Sequence, residues 1–439
     1  MPRAATAVRL PRALQPFGDA QYRLLVGAMT LSLFGSGMWI VAVVWQVIEL
    51  GGGPIDLSVV ATGSAVGAVA AVLVGGVVAD RVPGRRIMIA IEITKVVSIA
   101  GAAALALTGV VEIWHLAVVS FLLGATEGFF YPAYSALLPA ILPAEQLLAA
   151  NGVEGVLRPI VMQAAGPAAA SAAVAVASPG TAFALISAAQ LVGVLVLWRM
   201  RPTPMRRPAP VPGAEPMHPL VSVLAEARDG FVYMVKTPWL LGTLSYFCLL
   251  ILVLMGPIEV LLPFAVKDQA GGGAGGFALV LAAFGIGGAA GSLLVASRRL
   301  PRRYLTVMNL LWGLGCVPLA IIGITTELWV MVIAVFATGF AFQAGGVIWG
   351  TLLQRRVPSE LLGRVSSLDF FVSLALMPVS MALAGPVGES IGLAPAFLVA
   401  GLVPPVLAIT ATLLFRLPRD ELEHPLDAVD PGKTAADTD

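Results

Sequence analysis

Runs of about twenty Ala, Val, Leu, Ile and Gly residues, almost free of charge, recur along this chain from residue 23 to residue 416. Each run is long enough to cross about 30 Å of hydrocarbon. Inside lipid only helices or a closed barrel satisfy every backbone N–H and C=O. Aromatic residues make up 7% of the chain and alternation is weak, which excludes a barrel. The fold class is therefore all-α and polytopic. Composition agrees: 58% of the 439 residues are hydrophobic and only 12% charged, the latter roughly half the share of a soluble domain.

Cutting the runs at charges and at Pro or Gly breaks predicts twelve helices. They cover 23–50, 57–79, 87–109, 113–138, 152–176 and 179–199, then 239–265, 276–297, 304–325, 328–350, 364–388 and 392–416. The basic residues test this count. With the N-terminus inside, 23 of the 26 Lys and Arg fall on the cytoplasmic side; only Lys267 falls outside, and Lys95 and Arg158 lie within spans. That asymmetry follows the positive-inside rule and implies an integral protein of the cell (inner or plasma) membrane with both termini cytoplasmic.

Five segments are expected: an N-tail (1–22), a six-helix half (23–199), a connector (200–238), a second six-helix half (239–416) and an acidic tail (417–439). The Pro-rich RPTPMRRPAPVPGAEPMHP of the connector reads as a semi-rigid linker. Seven Asp and Glu follow Pro418 without an apolar run, so the tail reads as disordered chain.

Several function classes drop out. A net charge of +1 provides no field for nucleic acid. Cys248 and Cys316 sit in apolar runs and read as small core residues, while His115, His218 and His424 are scattered and make no metal site. GGGAGG (271–276) lacks the Lys-Ser/Thr of a phosphate loop, so no nucleotide drive is expected. With no nucleophile–base pair, the chain does not read as an enzyme and needs no cofactor.

The two halves are related in sequence. ADRVPGRR (79–86) aligns with ASRRLPRR (296–303) at an offset of 217 residues. LPAEQLLAANG (142–152) aligns with VPSELLGRVSS (357–367) at 215, and AAGPAA (164–169) with LAGPVG (383–388) at 219. Parallel six-helix repeats place substrate at the bilayer midplane between halves that rock against each other.

These residues carry a resemblance to the major facilitator superfamily over essentially the whole chain. Its loop pattern G-x-x-x-D-R-x-G-R-R/K is matched by Gly76, Asp80, Arg81, Gly84, Arg85 and Arg86, with Gly84 one place late behind Pro83. YPAYSALLPAILP (131–143), AANG (149–152), Gly166-Pro167 and the VPSELLGRVSS…LAGP segment resemble the drug-exporter branch, which includes macrolide, siderophore and lysophospholipid exporters. Arg85 and Arg86 hold the loop at the cytoplasmic face and its anionic headgroups. Asp80 does nothing for topology. The resemblance places this loop against the start of helix 11, so Asp80 is expected to latch Gly363 and Arg364 there when the inner side closes.

Charges inside the bilayer are functional candidates by default. Glu127 lies near the middle of helix 4 with apolar neighbours and no basic residue on its own helix, which suits a group that takes up and releases a proton. The competing reading is a buried, hydrogen-bonded acid. Glu154 precedes Arg158 by one turn, either as a static pair that holds helix 5 or as part of the site. Asp369, just inside helix 11, belongs either to the cavity or to the gate charges. Glu92 and Lys95, three apart on a helix that is usually peripheral in this fold, are expected to pair with each other. Glu49 and Glu259 near outer helix ends reach water. Trp39, Phe130 and Tyr134 offer aromatic lining for an amphiphile. Gly166-Pro167 and Gly385-Pro386 are expected to mark bends where the halves meet.

The chain also departs from family patterns. Helix 4 has no Arg, Ser36 stands where relatives often have Asp in helix 1, and the antiporter signature is reduced to Gly166-Pro167. The expectation is a secondary-active transporter, acting as a monomer by alternating access, that exports amphipathic or hydrophobic small molecules on a proton or other ion gradient. A lysophospholipid or other lipid-like substrate is the alternative, and a non-transporting receptor or assembly factor a more distant one.

Overall fold

The computed structural model describes residues 12–79, 81–202, 228 and 230–426. Among them, twelve helical segments are long and apolar enough to cross a membrane, as the sequence predicts. In chain order they are α1 (Ala20–Glu49), α2 (Pro54–Ala79), α3 (Gly84–Leu107), α4 (Ile113–Ile141), α5 (Glu145–Val176) and α6 (Pro179–Trp198). The second set is α7 (Pro238–Gln269), α8 (Ala274–Ala296), α9 (Tyr304–Ile321), α10 (Leu328–Arg356), α11 (Leu361–Ile391) and α12 (Leu393–Leu414). Helices 5 and 11 begin several residues earlier than their apolar runs, because polar turns at 144–151 and 359–363 are helical too.

Local chemistry sets several starts. Asp19 accepts from Gln21 N and Tyr22 N at 2.6 and 3.1 Å and caps α1. Glu112 and His115 form a reciprocal capping box on α4, which gives that histidine a structural role.

The helices pair in the same way twice. In the first half α2 lies along α4, α3 along α6, and α1 against α5 and α6. In the second, α8 lies along α10, α9 along α12, and α7 against α11 and α12. Helix association in lipid relies on close backbone approach, which small residues permit. At α2–α4, a Cβ on Gly124 would strike the Ser64 carbonyl; at α8–α10, one on Gly339 would strike that of Phe284. The halves meet where α2 lies on α11 and α5 on α8. Large apolar side chains outside the core, such as Val97, Trp329, Ile333 and Leu413, stay exposed and make the surface that lipid covers.

Two spans carry π-helical stretches. α5 is a π-helix over Arg158–Ala165, and α7 over Pro257–Leu261 and Ala265–Gln269. The first two of these stretches open at an X-Pro step. Proline has no N–H and crowds the carbonyl four residues back, so the helix widens there.

The acidic tail begins as structure. Leu417–Glu423 is a helix, and Glu421, buried despite its charge, accepts from Leu305 N, Thr306 N and Thr306 Oγ1 at 2.9, 3.1 and 2.7 Å. The two backbone N–H groups are orphan donors at the start of α9, so the tail caps that helix instead of leaving it to water. Arg356, stacked on Trp239, pairs with Asp420 beside it. This much of the segment 417–439 is therefore part of the folded second half.

Candidate functional site

Glu127 stands at the middle of α4, fifteen residues into a helix of 29. Its carboxylate Oε1 accepts from Lys95 Nζ of α3 at 3.2 Å. Lys95 Nζ also donates to Ser32 Oγ of α1 at 3.1 Å, and Ser32 Oγ donates to Glu92 Oε1 at 2.6 Å. Lys95 therefore reaches across to α4, and the expected direct Glu92–Lys95 pair is replaced by a link through Ser32. The apolar neighbours of Glu127 along its own helix gave no sign of this cation, which comes from another helix. Ser36 lies near the same carboxylate.

The pair is not sealed. The Lys95 side chain is 3% accessible but that of Glu127 is 41% accessible. One turn on, Tyr131 is 48% exposed and meets Phe370 of α11, 43% exposed, with ring centroids 6.5 Å apart. These three side chains line a cleft between the two halves. Phe370 carries no sequence signal: it is one of several aromatics in apolar runs, and only the packing of α11 brings it opposite α4.

Arg158 adds the second cation. It donates to Glu154 Oε1 at 3.4 Å, and its guanidinium lies over the Tyr131 and Phe130 rings, 5.4 and 5.8 Å from their centroids. Phe130 and Tyr134 are buried and stacked behind it, so they support Arg158 and do not face the cleft. Trp39 is also displaced from its expected role; it packs on Phe183 in the core of the first half. In the second half Asp369 accepts from Trp349 Nε1 at 3.1 Å and from Ser373 Oγ at 3.4 Å, both neutral donors.

The gate residues separate into two groups. Asp80 and the environment of Gly76 lie outside the described residues. Arg85 donates to the Leu197 and Trp198 carbonyls at 3.1 and 2.8 Å, capping the end of α6 within its own half; Arg81 and Arg86 are exposed. On α11, the Arg364 backbone packs against Gly230, which precedes α7.

The Gly-Pro motifs differ too. Gly385 sits where α11 meets α2, and its N–H donates to Ser58 Oγ at 2.6 Å; nearby, Ile55 N donates to Glu389 Oε1 at 3.3 Å. These bonds join the halves at the face opposite the basic loops. Gly166 packs on Phe34 and Gly37 of α1, in the span that also lies on α8 of the second half.

Residues 25–373 match the Major Facilitator Superfamily. The chain belongs to this family. Members are transporters, which accords with a site of charges and aromatics facing a cleft. This major facilitator chain is 28% identical over 404 residues to the multidrug efflux pump Tap of Mycolicibacterium fortuitum, covering 90% of this chain and 95% of that one. It is 23% identical over 362 residues to macrolide efflux protein A of Streptococcus pyogenes, covering 79% and 84%. In structure it resembles the nucleoside transporter NupG, with a TM-score of 0.66, 14% identity, and coverage of 90% and 99%, a likeness of fold.

Proposed function

We propose that this transporter exports amphipathic small molecules by alternating access, driven by exchange for protons. One observation carries the reading: the membrane interior holds an excess of acid beside an aromatic cleft. Two turns or more from the helix ends, the described residues of the spans carry five acids, Glu92, Glu127, Glu154, Glu259 and Asp369, against two bases, Lys95 and Arg158. Such an interior favours occupation by cations, whether protons or protonated amines. Tyr131 and Phe370 supply apolar faces beside it from opposite halves. The names of the relatives, a multidrug efflux pump and a macrolide efflux protein, support the substrate class.

In this reading the basic loops lie in the cytoplasm with both termini, and residues 23–199 and 239–416 rock about the site as a monomer. The bonds of Ser58 to Gly385 and of Glu389 to Ile55 close the outer face. Asp80 latches the start of α11 at the inner face in the opposite state.

Purified protein in proteoliposomes under an imposed pH gradient tests the reading. A cationic dye, a macrolide and a fluorescent lysophospholipid are compared in wild type and Glu127→Gln. Gradient-driven movement of the dye or the macrolide, lost in the variant, is the expected result. Movement of the lysophospholipid alone, indifferent to gradient and variant, would replace the reading with a lipid flippase.

A further inference from the structure

We infer that Glu92, and not the cleft-facing Glu127, is where this transporter stores its proton, with Lys95 and Ser32 connecting the two. The inference rests on the proton-exchange reading above and assigns a residue to it.

The charges point to Glu92 first. Glu127–Lys95 and Glu154–Arg158 are two neutral ion pairs, at 3.2 and 3.4 Å. Within the first half Glu92 is the interior acid left over, and only 1% of it is accessible. A lone carboxylate in such a place is expensive, and the usual resolution is that it binds a proton.

The second observation is independent of charge. Glu92 Oε2 has no hydrogen-bond partner among the described residues, and neither does Gln190 Oε1 of α6. Both side chains converge on Ser32: its hydroxyl donates to Glu92, and its carbonyl accepts from Gln190 Nε2 at 3.5 Å. Gly193, one turn beyond Gln190, faces Glu92 Oε2. Two buried acceptors thus stand without a hydrogen. A proton on Glu92 supplies the donor, and Gln190 Oε1 is the acceptor waiting for it.

The groups around Glu92 are few. Lys95 stands one turn along α3, Ser32 faces it from α1, Glu127 from α4 and Gln190 from α6, and Arg158 of α5 acts beyond on Lys95 and Glu127. The hydrogen bonds run one way, from Lys95 Nζ to Ser32 Oγ and from Ser32 Oγ to Glu92 Oε1. Ser32 gives its proton to Glu92 and takes one from Lys95, and the neutral amine this leaves then accepts the proton that has arrived on Glu127 from the cleft. Glu127 returns to carboxylate, Glu92 becomes carboxyl, and Lys95 and Ser32 end with the hydrogens they began with. Rotation of the carboxyl then turns its O–H to Gln190.

The second half supplies a control. At the repeat offsets, Glu92 corresponds to Asn309, Lys95 to Trp312 and Glu127 to Phe342. Trp312 Nε1 donates to the Phe342 carbonyl at 2.9 Å, so the same corner is joined without an ion. The fold does not require charge at this position, and the first half carries it for another reason.

Infrared difference spectra of the protein in lipid, recorded between acid and alkaline buffer, test the assignment without any substrate. Wild type is expected to show a protonated-carboxyl band at a hydrogen-bonded frequency. Glu92→Gln should lose it and Glu127→Gln should keep it. Gln190→Leu should keep the band and move it to the frequency of a free carboxyl, which also decides the matter if Glu92→Gln fails to fold. A band that survives Glu92→Gln, ignores Gln190→Leu, or is absent from wild type would overturn the inference. Transport under a pH gradient is read separately: if it is missing while the Glu92 band stands, the proton-exchange reading falls and the proton site remains.

Discussion

Lys95 on α3 and Glu127 on α4, 32 residues apart in sequence, meet at 3.2 Å in the middle of the first half, one almost wholly buried and the other open to the cleft. The pair couples a helix inside the half to the surface of the cleft. Lys95→Met and Glu127→Gln each leave a charge without its partner, and removing both relieves that. Thermal unfolding of the two single variants and the double variant should give a coupling free energy of roughly 0.5–3 kcal/mol. Additive losses would show that the pair contributes no mutual stability.

Arg158 is held by geometry as much as by charge, since it lies over two rings while pairing with Glu154. Lysine keeps the charge but loses the planar stacking. Arg158→Lys is expected to cost about 1 kcal/mol and to weaken binding of aromatic substrates. Equal affinity of a fluorescent aromatic ligand for both proteins would contradict this.

Gly385 meets the Pro54 carbonyl, Ile55 and Ser58 of α2, with no room for a side chain. Gly385→Val should hold that face open and raise labelling of a cysteine introduced at Gly275 by an outside reagent. Ser58→Ala, which removes one hydrogen bond from the same contact, should shift the equilibrium the same way by about 1 kcal/mol. Unchanged labelling in both variants would show that this contact does not control access.

Asp369 accepts from Trp349 and Ser373, and an asparagine carbonyl keeps an acceptor for the indole. Asp369→Asn should therefore fold normally while losing about tenfold, roughly 1.4 kcal/mol, in affinity for a cationic dye. A neutral analogue of the dye should bind both proteins alike.

Glu421 caps α9 with three hydrogen bonds. Glu421→Ala should lower stability by roughly 2 kcal/mol, read as a lower Tm in detergent, with substrate affinity unaltered. A Tm equal to wild type would mean that water satisfies those donors as well.

The twelve spans were legible because a run of twenty apolar residues has one physical solution in lipid. Glu127 and Arg158 were legible for the complementary reason, as charges where charge is expensive. Their partners were not. Helix 3 is apolar on every side, so its sequence does not say which way Lys95 points, and pairing over 32 residues leaves no periodic trace. Phe130 and Tyr131 differ in sequence by one hydroxyl and in the fold by which face of α4 they occupy. The docking of Leu417–Glu423 was hidden by composition: an acidic stretch reads as solvated, yet Leu417 and Glu421 share a helix face that is buried on α9 and α12.

The π-helical stretch at Arg158–Ala165 has a consequence for anyone editing this chain. Each residue that a widened turn holds beyond the α-helical count advances the following face by about 100°. The phase between the Glu154–Arg158 pair and the Gly166-Pro167 contact on α1 is thus set by how many residues lie between them. Removing one residue there would not shorten the span so much as rotate one end against the other. Alignments that slide a gap through this segment to gain a matched residue therefore turn the helix on paper, and they assign the cleft to side chains that face lipid.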